Sequence, residues 1–99
     1  MERRILSDDE LSAAVGRLDG WEVDGRVLKK KLKFDDFAHA LSYINRVATL
    51  AEEIDHHPDI TFGWGYAELA LTTHDRGGIT DVDIVTASRI DNIGVKSLP

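Results

Sequence analysis

The stretch EEIDHHPDITFGW, residues 52–64, joins what reads as the end of a long helix to the start of a strand. Pro58 marks the join. It lacks the N–H a helix needs and disfavours helical geometry at His57. The helix therefore stops at or before the adjacent pair His56-His57, and the strand begins beyond it. Two of the chain's four histidines stand at that boundary. Upstream, Phe37, Leu41, Ile44, Ala48 and Ala51 recur at 4-3-4-3 spacing, which predicts a helix from Asp36 to about Ile54 with Asp35 as its N-cap. Ala40, Val47 and Ile54 widen the stripe, and Tyr43 and Leu50 add apolar surface elsewhere. This helix is more apolar than one sheet face requires, so part of it is expected against a second subunit.

Downstream, residues 59–64 and 66–73 read as paired strands around Gly63-Trp64-Gly65. Ala67, Leu69 and Leu71 share one face. Tyr66, Glu68, Ala70 and Thr72 share the other. On the N-terminal side, Asp24-Gly25 signals a hairpin between a short strand at Trp21 and a longer one at residues 27–34. Leu28, Leu32 and Phe34 share a face of that longer strand, interrupted by Lys30. Lys29, Lys31 and Lys33 point the other way.

Two capping boxes frame the remaining helices. Ser7 with Glu10 opens the first, inside a Leu6/Leu11 staple, and Asp19-Gly20 is its expected end. Thr80 with Asp83 opens the last, inside an Ile79/Ile84 staple, and it runs to about Ile93. Asp83 falls within the apolar arc of that helix, an unusual place for an exposed acid. The order is α-β-β-α-β-β-α. It predicts an α+β fold, a four-stranded antiparallel sheet with three helices packed on one face, as a single domain over residues 1–99.

With 99 residues, 42% hydrophobic and 30% charged, the chain reads as one soluble globule. No apolar run approaches the roughly 18 residues that span a bilayer, and the N-terminus does not read as a secretory signal. A net charge of −6 without a basic block argues against direct nucleic-acid binding. No cysteine is present, which excludes disulfides and thiol nucleophiles and fits a cytoplasmic location.

His56, His57 and His74 are the residues that can carry chemistry, each at the end of an element. Imidazole exchanges protons near neutral pH, so two of them can supply an acid and a base to an elimination. A histidine in the last turn of a helix also has a structural reading, against the helix dipole. That accounts for one histidine, not for two with a proline and a third at a strand end. His39 reads as a plain surface residue. Glu52, four residues before His56, shares its helix face. Asp83 has both a capping and a site reading. Trp64 and Tyr66 read equally as stacking platforms and as core or interface aromatics. Thr72 and Thr73 can offer hydrogen bonds to a polar ligand, and Gly77-Gly78 reads as a turn.

Glu52, His56-His57-Pro58, Trp64, His74 and Asp83, at their spacing, resemble the pterin-4a-carbinolamine dehydratase family, and the element order agrees. The resemblance implies dehydration of 4a-hydroxytetrahydrobiopterin to quinonoid dihydropterin and water, which recycles tetrahydrobiopterin after aromatic amino-acid hydroxylation. It implies no cofactor and no metal. It implies His56 as the main general acid/base, His74 as the second catalytic histidine, and His57 as a third that mainly binds. Glu52 matches the supporting acid. Asp55-His56-His57-Pro58 and Thr72-Thr73-His74-Asp75 match the pterin-contacting segments. Asp83 and Trp64 match supporting positions. Arg76-Gly77-Gly78 departs from the Cys-Ala-Gly expected of animal members, and Gly63-Trp64-Gly65 is richer in glycine than expected; both bear on pterin side-chain specificity. A homodimer or homotetramer is implied. The competing reading is a non-enzymatic oligomeric interaction module on the same fold. A third, a metal site built on the histidines, is weakened because adjacent histidines chelate one ion poorly and no cysteine is present.

Overall fold

A computed structural model describes residues 2–94. The elements follow the expected order: α1 (Asp8–Val15), β1 (Trp21–Asp24), β2 (Val27–Lys33), α2 (Phe37–Ile54), β3 (Asp59–Gly63), β4 (Tyr66–Leu71), a 3-10 turn (His74–Arg76) and α3 (Asp81–Asp91). The four strands form one antiparallel sheet in the order β1-β2-β4-β3. Leu28 of β2 sits opposite Leu71 of β4, and Ile60 of β3 sits opposite Leu69. Because side chains alternate along a strand, this register gathers Leu28, Ala67, Leu69 and Leu71 on the face beneath the helices, where all four are buried. The other face carries Lys29, Lys31, Lys33 and Glu68 and is largely solvated.

Helix α2 lies over the sheet and buries Ala40, Tyr43, Ile44, Val47, Leu50 and Ala51. The expected stripe is therefore rotated. Ile44 and Ala51 belong to the core, but Phe37 and Leu41 stay 45% and 39% exposed, and Ala48 is exposed. Tyr43 and Leu50, placed outside the stripe by spacing, are core residues. A helix that is apolar on more than one side offers two arcs, and the sheet takes only one.

The caps explain where the helices begin and end. The Ser7/Glu10 and Thr80/Asp83 boxes both form. Asp36, rather than Asp35, caps α2 by accepting from the backbone N–H of His39. His39 is half-buried, and its Nδ1 lies 2.7 Å from the same carboxylate, so it belongs to the cap more than to the open surface. Helix α1 ends at Val15, earlier than Asp19-Gly20 suggested, with Gly16 as C-cap and turn hydrogen bonds from Arg17 and Leu18. Likewise β4 ends at Leu71. Thr72 and Thr73 follow it, with Thr73 in an isolated bridge to Gly78.

Asp91, at the end of α3, ties that helix to β1 and β2. Its Oδ1 accepts from Trp21 Nε1 and Lys30 Nζ, both at 2.8 Å, and its Oδ2 accepts from the backbone of Asp19 at 2.9 Å. Lys30, which interrupts an apolar face in the sequence, does so to meet this carboxylate.

Candidate active site

Helix α2 ends through Asp55, whose left-handed conformation (φ 58°) is rare for a residue with a side chain but tolerated by Asp. The backbone N–H groups of Asp55 and His56 both turn back to the carbonyl of Ala51. The chain swings away from the helix axis, and His56 and His57 leave it as non-helical residues before buried Pro58 leads into β3. Pairing of Asp59 with Ala70 starts immediately afterwards. The ladder begins at that pair, so the end of α2 and the end of β4 lie at the same end of the β3–β4 pair.

Asp83 connects them. Its side chain is fully buried, 0% exposed, yet each oxygen is satisfied. Oδ1 lies 2.6 Å from His56 Nε2. Oδ2 accepts from the Thr73 hydroxyl at 2.8 Å and from the backbone N–H of Thr80 at 2.9 Å. The Thr80 and Thr73 hydroxyls are 2.8 Å apart, and Thr80 Oγ1 accepts from Val82 N–H. Thr80 then donates to Thr73, and Thr73 donates to Asp83. A buried carboxylate needs this set of donors to offset its desolvation. Because the carboxylate accepts, Nε2 of His56 carries the proton in this contact, which leaves Nδ1 for a ligand.

The remaining expected residues divide. His57 Nε2 pairs with Glu52, and both side chains are exposed. His74, exposed, opens the 3-10 turn directly after Thr73, so it is tied to the same carboxylate through its neighbour. Thr72 donates to the carbonyl of Arg26 at 2.7 Å, which joins the site to the β1–β2 hairpin. Asp75 pairs with Arg3 at the surface. Trp64 is separated from the histidines. It sits in the β3–β4 turn, 72% exposed, beyond the full length of β3, about 17 Å for five residues at ~3.4 Å each. Among the described residues, no three His, Asp or Glu side chains gather closely enough to hold a metal ion. Sequence reasoning missed Thr80 as a site residue. Its signal was the cap itself, since the acid it caps with also faces His56.

A depression of about 430 Å³ on the outer face of the sheet is lined by Glu22, Lys29, Lys31 and Glu68 and holds none of the histidines.

Residues 4–93 match the sequence profile described as Pterin 4 alpha carbinolamine dehydratase. The chain belongs to this family. Proteins provisionally named pterin-4-alpha-carbinolamine dehydratase are 45% identical in Rubrobacter xylanophilus, over 89% of this chain and 83% of the relative, and 42% identical in Koribacter versatilis, over 91% and 96%. Among solved structures, a Brucella melitensis protein described as a transcriptional coactivator/pterin dehydratase aligns with TM-score 0.82 and 35% identity, covering 88% of this chain and 95% of that one. A pterin dehydratase-like protein identified as a RuBisCO assembly factor in the alpha-carboxysome aligns with TM-score 0.65 and 27% identity, covering 80% and 94%. As in this family, the fold is α+β. No helix among the described residues is long and apolar enough to cross a membrane.

Proposed function

We propose that the chain dehydrates 4a-hydroxytetrahydropterins by histidine general acid/base catalysis, in the cytoplasm, and so recycles tetrahydrobiopterin after aromatic amino-acid hydroxylation. The observation that carries this reading is the His56–Asp83–Thr73 linkage, because it presents one imidazole nitrogen from a fixed ring beside the segment that carries His74. In the proposed step, His56 Nδ1 removes the proton from ring N5. The N5–H electron pair becomes the N5=C4a double bond. The C4a–O bond breaks with its pair on oxygen, and His74 supplies the proton with which that oxygen leaves as water. Asp83 balances the imidazolium that forms on His56. His57, held by Glu52, and Asp55, Thr72 and Asp75 line the proposed pterin contact. Each acid/base group placed in this way contributes about 10²–10⁴ in rate.

The test is stopped-flow absorbance of 4a-hydroxytetrahydropterin decay. Wild type should form quinonoid dihydropterin well above the buffer rate. The His56→Ala/His74→Ala variant should lose most of that rate while its circular dichroism is unchanged. A wild-type rate equal to buffer would reject the reading.

A second reading, an oligomeric protein-interaction module, is favoured by two observations: the exposed Phe37, Leu41 and Trp64, and the likeness to a protein described as an assembly factor. The same exposed residues support a homodimer or homotetramer in either case. In a pure interaction module the double histidine variant would keep its partner affinity, and wild type would show no dehydration.

A further inference from the structure

A second concavity adjoins the loop that carries His74. Its volume is about 450 Å³, within the range of small-molecule sites. One wall is apolar, formed by Ile5, Leu6, Leu11 and Ile79. The other is built from Gly25 and Arg26 of the β1–β2 hairpin and from Arg76, Gly77 and Gly78. Gly77 adopts φ +77°, and a Cβ built there would lie 4.0 Å from Nη1 of Arg26, so that guanidinium reaches over the glycine. Neither Arg26 nor Arg76 has an acidic partner among the described residues. Asp75 is already taken by Arg3. Asp8 also lines the concavity, which leaves two cations against one carboxylate in a chain of net charge −6.

The placement relates this concavity to the histidines. Thr72 holds the carbonyl of Arg26, and the turn that opens at His74 closes at Gly77. A ligand side chain that follows this turn from His74 enters the concavity at Arg76 and Gly77. An apolar wall suits its carbons, and two guanidiniums suit a tetrahedral oxyanion, which they bind through fixed forks of donors.

We propose that this concavity holds the phosphate end of the substrate's side chain, so that the preferred pterin is a phosphate monoester. The assignment rests on the dehydratase reading for its turnover arm only; a binding arm stands without it. That arm uses ¹⁵N NMR titration of the full chain with three probes: 6-hydroxymethylpterin phosphate, 6-hydroxymethylpterin and inorganic phosphate. The phosphorylated pterin should bind about tenfold or more tightly than its unphosphorylated counterpart and should shift the amides of residues 76–79. The Arg26→Gln/Arg76→Gln variant should bind the two pterins equally, and added salt should erode the wild-type preference. Equal binding of both pterins by wild type would overturn the proposal. So would inorganic phosphate occupying the loop while the ester gains nothing, which would make this a free-anion site. In turnover, the 4a-hydroxy form of the phosphorylated substrate should show a lower KM at similar kcat, and the double arginine variant should lose that advantage alone. If neither substrate is dehydrated, the dehydratase reading fails and the binding arm still decides the concavity.

Discussion

His56 Nε2 lies 2.6 Å from Oδ1 of Asp83, a carboxylate with no exposed surface whose other oxygen accepts from Thr73 and from the backbone of Thr80. One acid thus caps α3 and holds a histidine delivered by α2. Replacing it should damage both roles. Asp83→Ala strands the donors of Thr73, Thr80 and His56, at about 1–3 kcal/mol for each one left buried without a partner. Asp83→Asn retains the volume and one acceptor, so it should be the milder change in urea denaturation. It cannot accept on both sides, however. If His56 is the general base of the proposed dehydration, that rate should still fall at least about tenfold as its orientation is lost. A variant of normal rate would show that Asp83 is a cap and nothing more.

Asp55 separates binding from backbone geometry in a similar way. Its αL conformation costs a residue with a Cβ roughly 1 kcal/mol or more, and glycine escapes that cost. Asp55→Gly should therefore hold or raise stability by up to about 1 kcal/mol in chemical denaturation. If the carboxylate contacts the pterin, KM should rise in this variant although the fold is intact. An unchanged KM would reduce Asp55 to the residue that ends the helix.

Most of this architecture was legible in the sequence because local rules specify it. Pro58 and the capping boxes at Ser7 and Thr80 fix where helices stop and start, and the alternation of Ala67, Leu69 and Leu71 fixes the face of β4. That His56 and His57 leave the helix before Pro58 was legible from the proline, and Asp83 stood out as an acid in an apolar arc. Other features depend on tertiary context. Spacing along α2 cannot tell the arc that meets the sheet from the arc at Phe37 and Leu41 that remains exposed, since both are apolar. Nor can it show that Trp64 stands at the far end of β3 from the histidines. The Arg26–Arg76 concavity joins two loops fifty residues apart in sequence, and no local pattern announces it.

The first capping box predicts an acid limb of stability. Glu10 accepts from the Arg4 guanidinium and from the backbone of Ser7, and these hold its carboxyl down at about 2, against an ordinary value of 4.5. A folded-state pKa below the unfolded one means that the unfolded chain binds the proton more readily. The contribution is present above about 4.5 and is lost as pH falls toward about 2. Glu10→Gln should flatten thermal stability against pH within that window and leave its shape near neutrality unchanged. Because both partners are solvent-exposed, added salt should diminish the difference. An identical acid limb in the two proteins would remove Glu10 from the account.

The Asp91 cluster gives the sharpest stability contrast. Lys30 and Asp91 are only 11% and 14% exposed at the side chain, the ammonium stands 5.9 Å from the centre of the Trp21 ring, and Asp91 also holds the indole N–H. Removing the anion alone leaves a lysine and an indole donor half-buried without it. Asp91→Ala should cost about 3–5 kcal/mol, the usual penalty for breaking a buried pair from one side. Removing the cation alone is different. Lys30→Met keeps the packing of the chain beneath the helices, and Asp91 still accepts from Trp21 and from the backbone of Asp19. Its cost should be clearly smaller. Urea denaturation of the two single variants and the double variant closes the cycle. A double variant more stable than Asp91→Ala would show that the stranded ammonium, rather than the lost indole bond, carries the penalty.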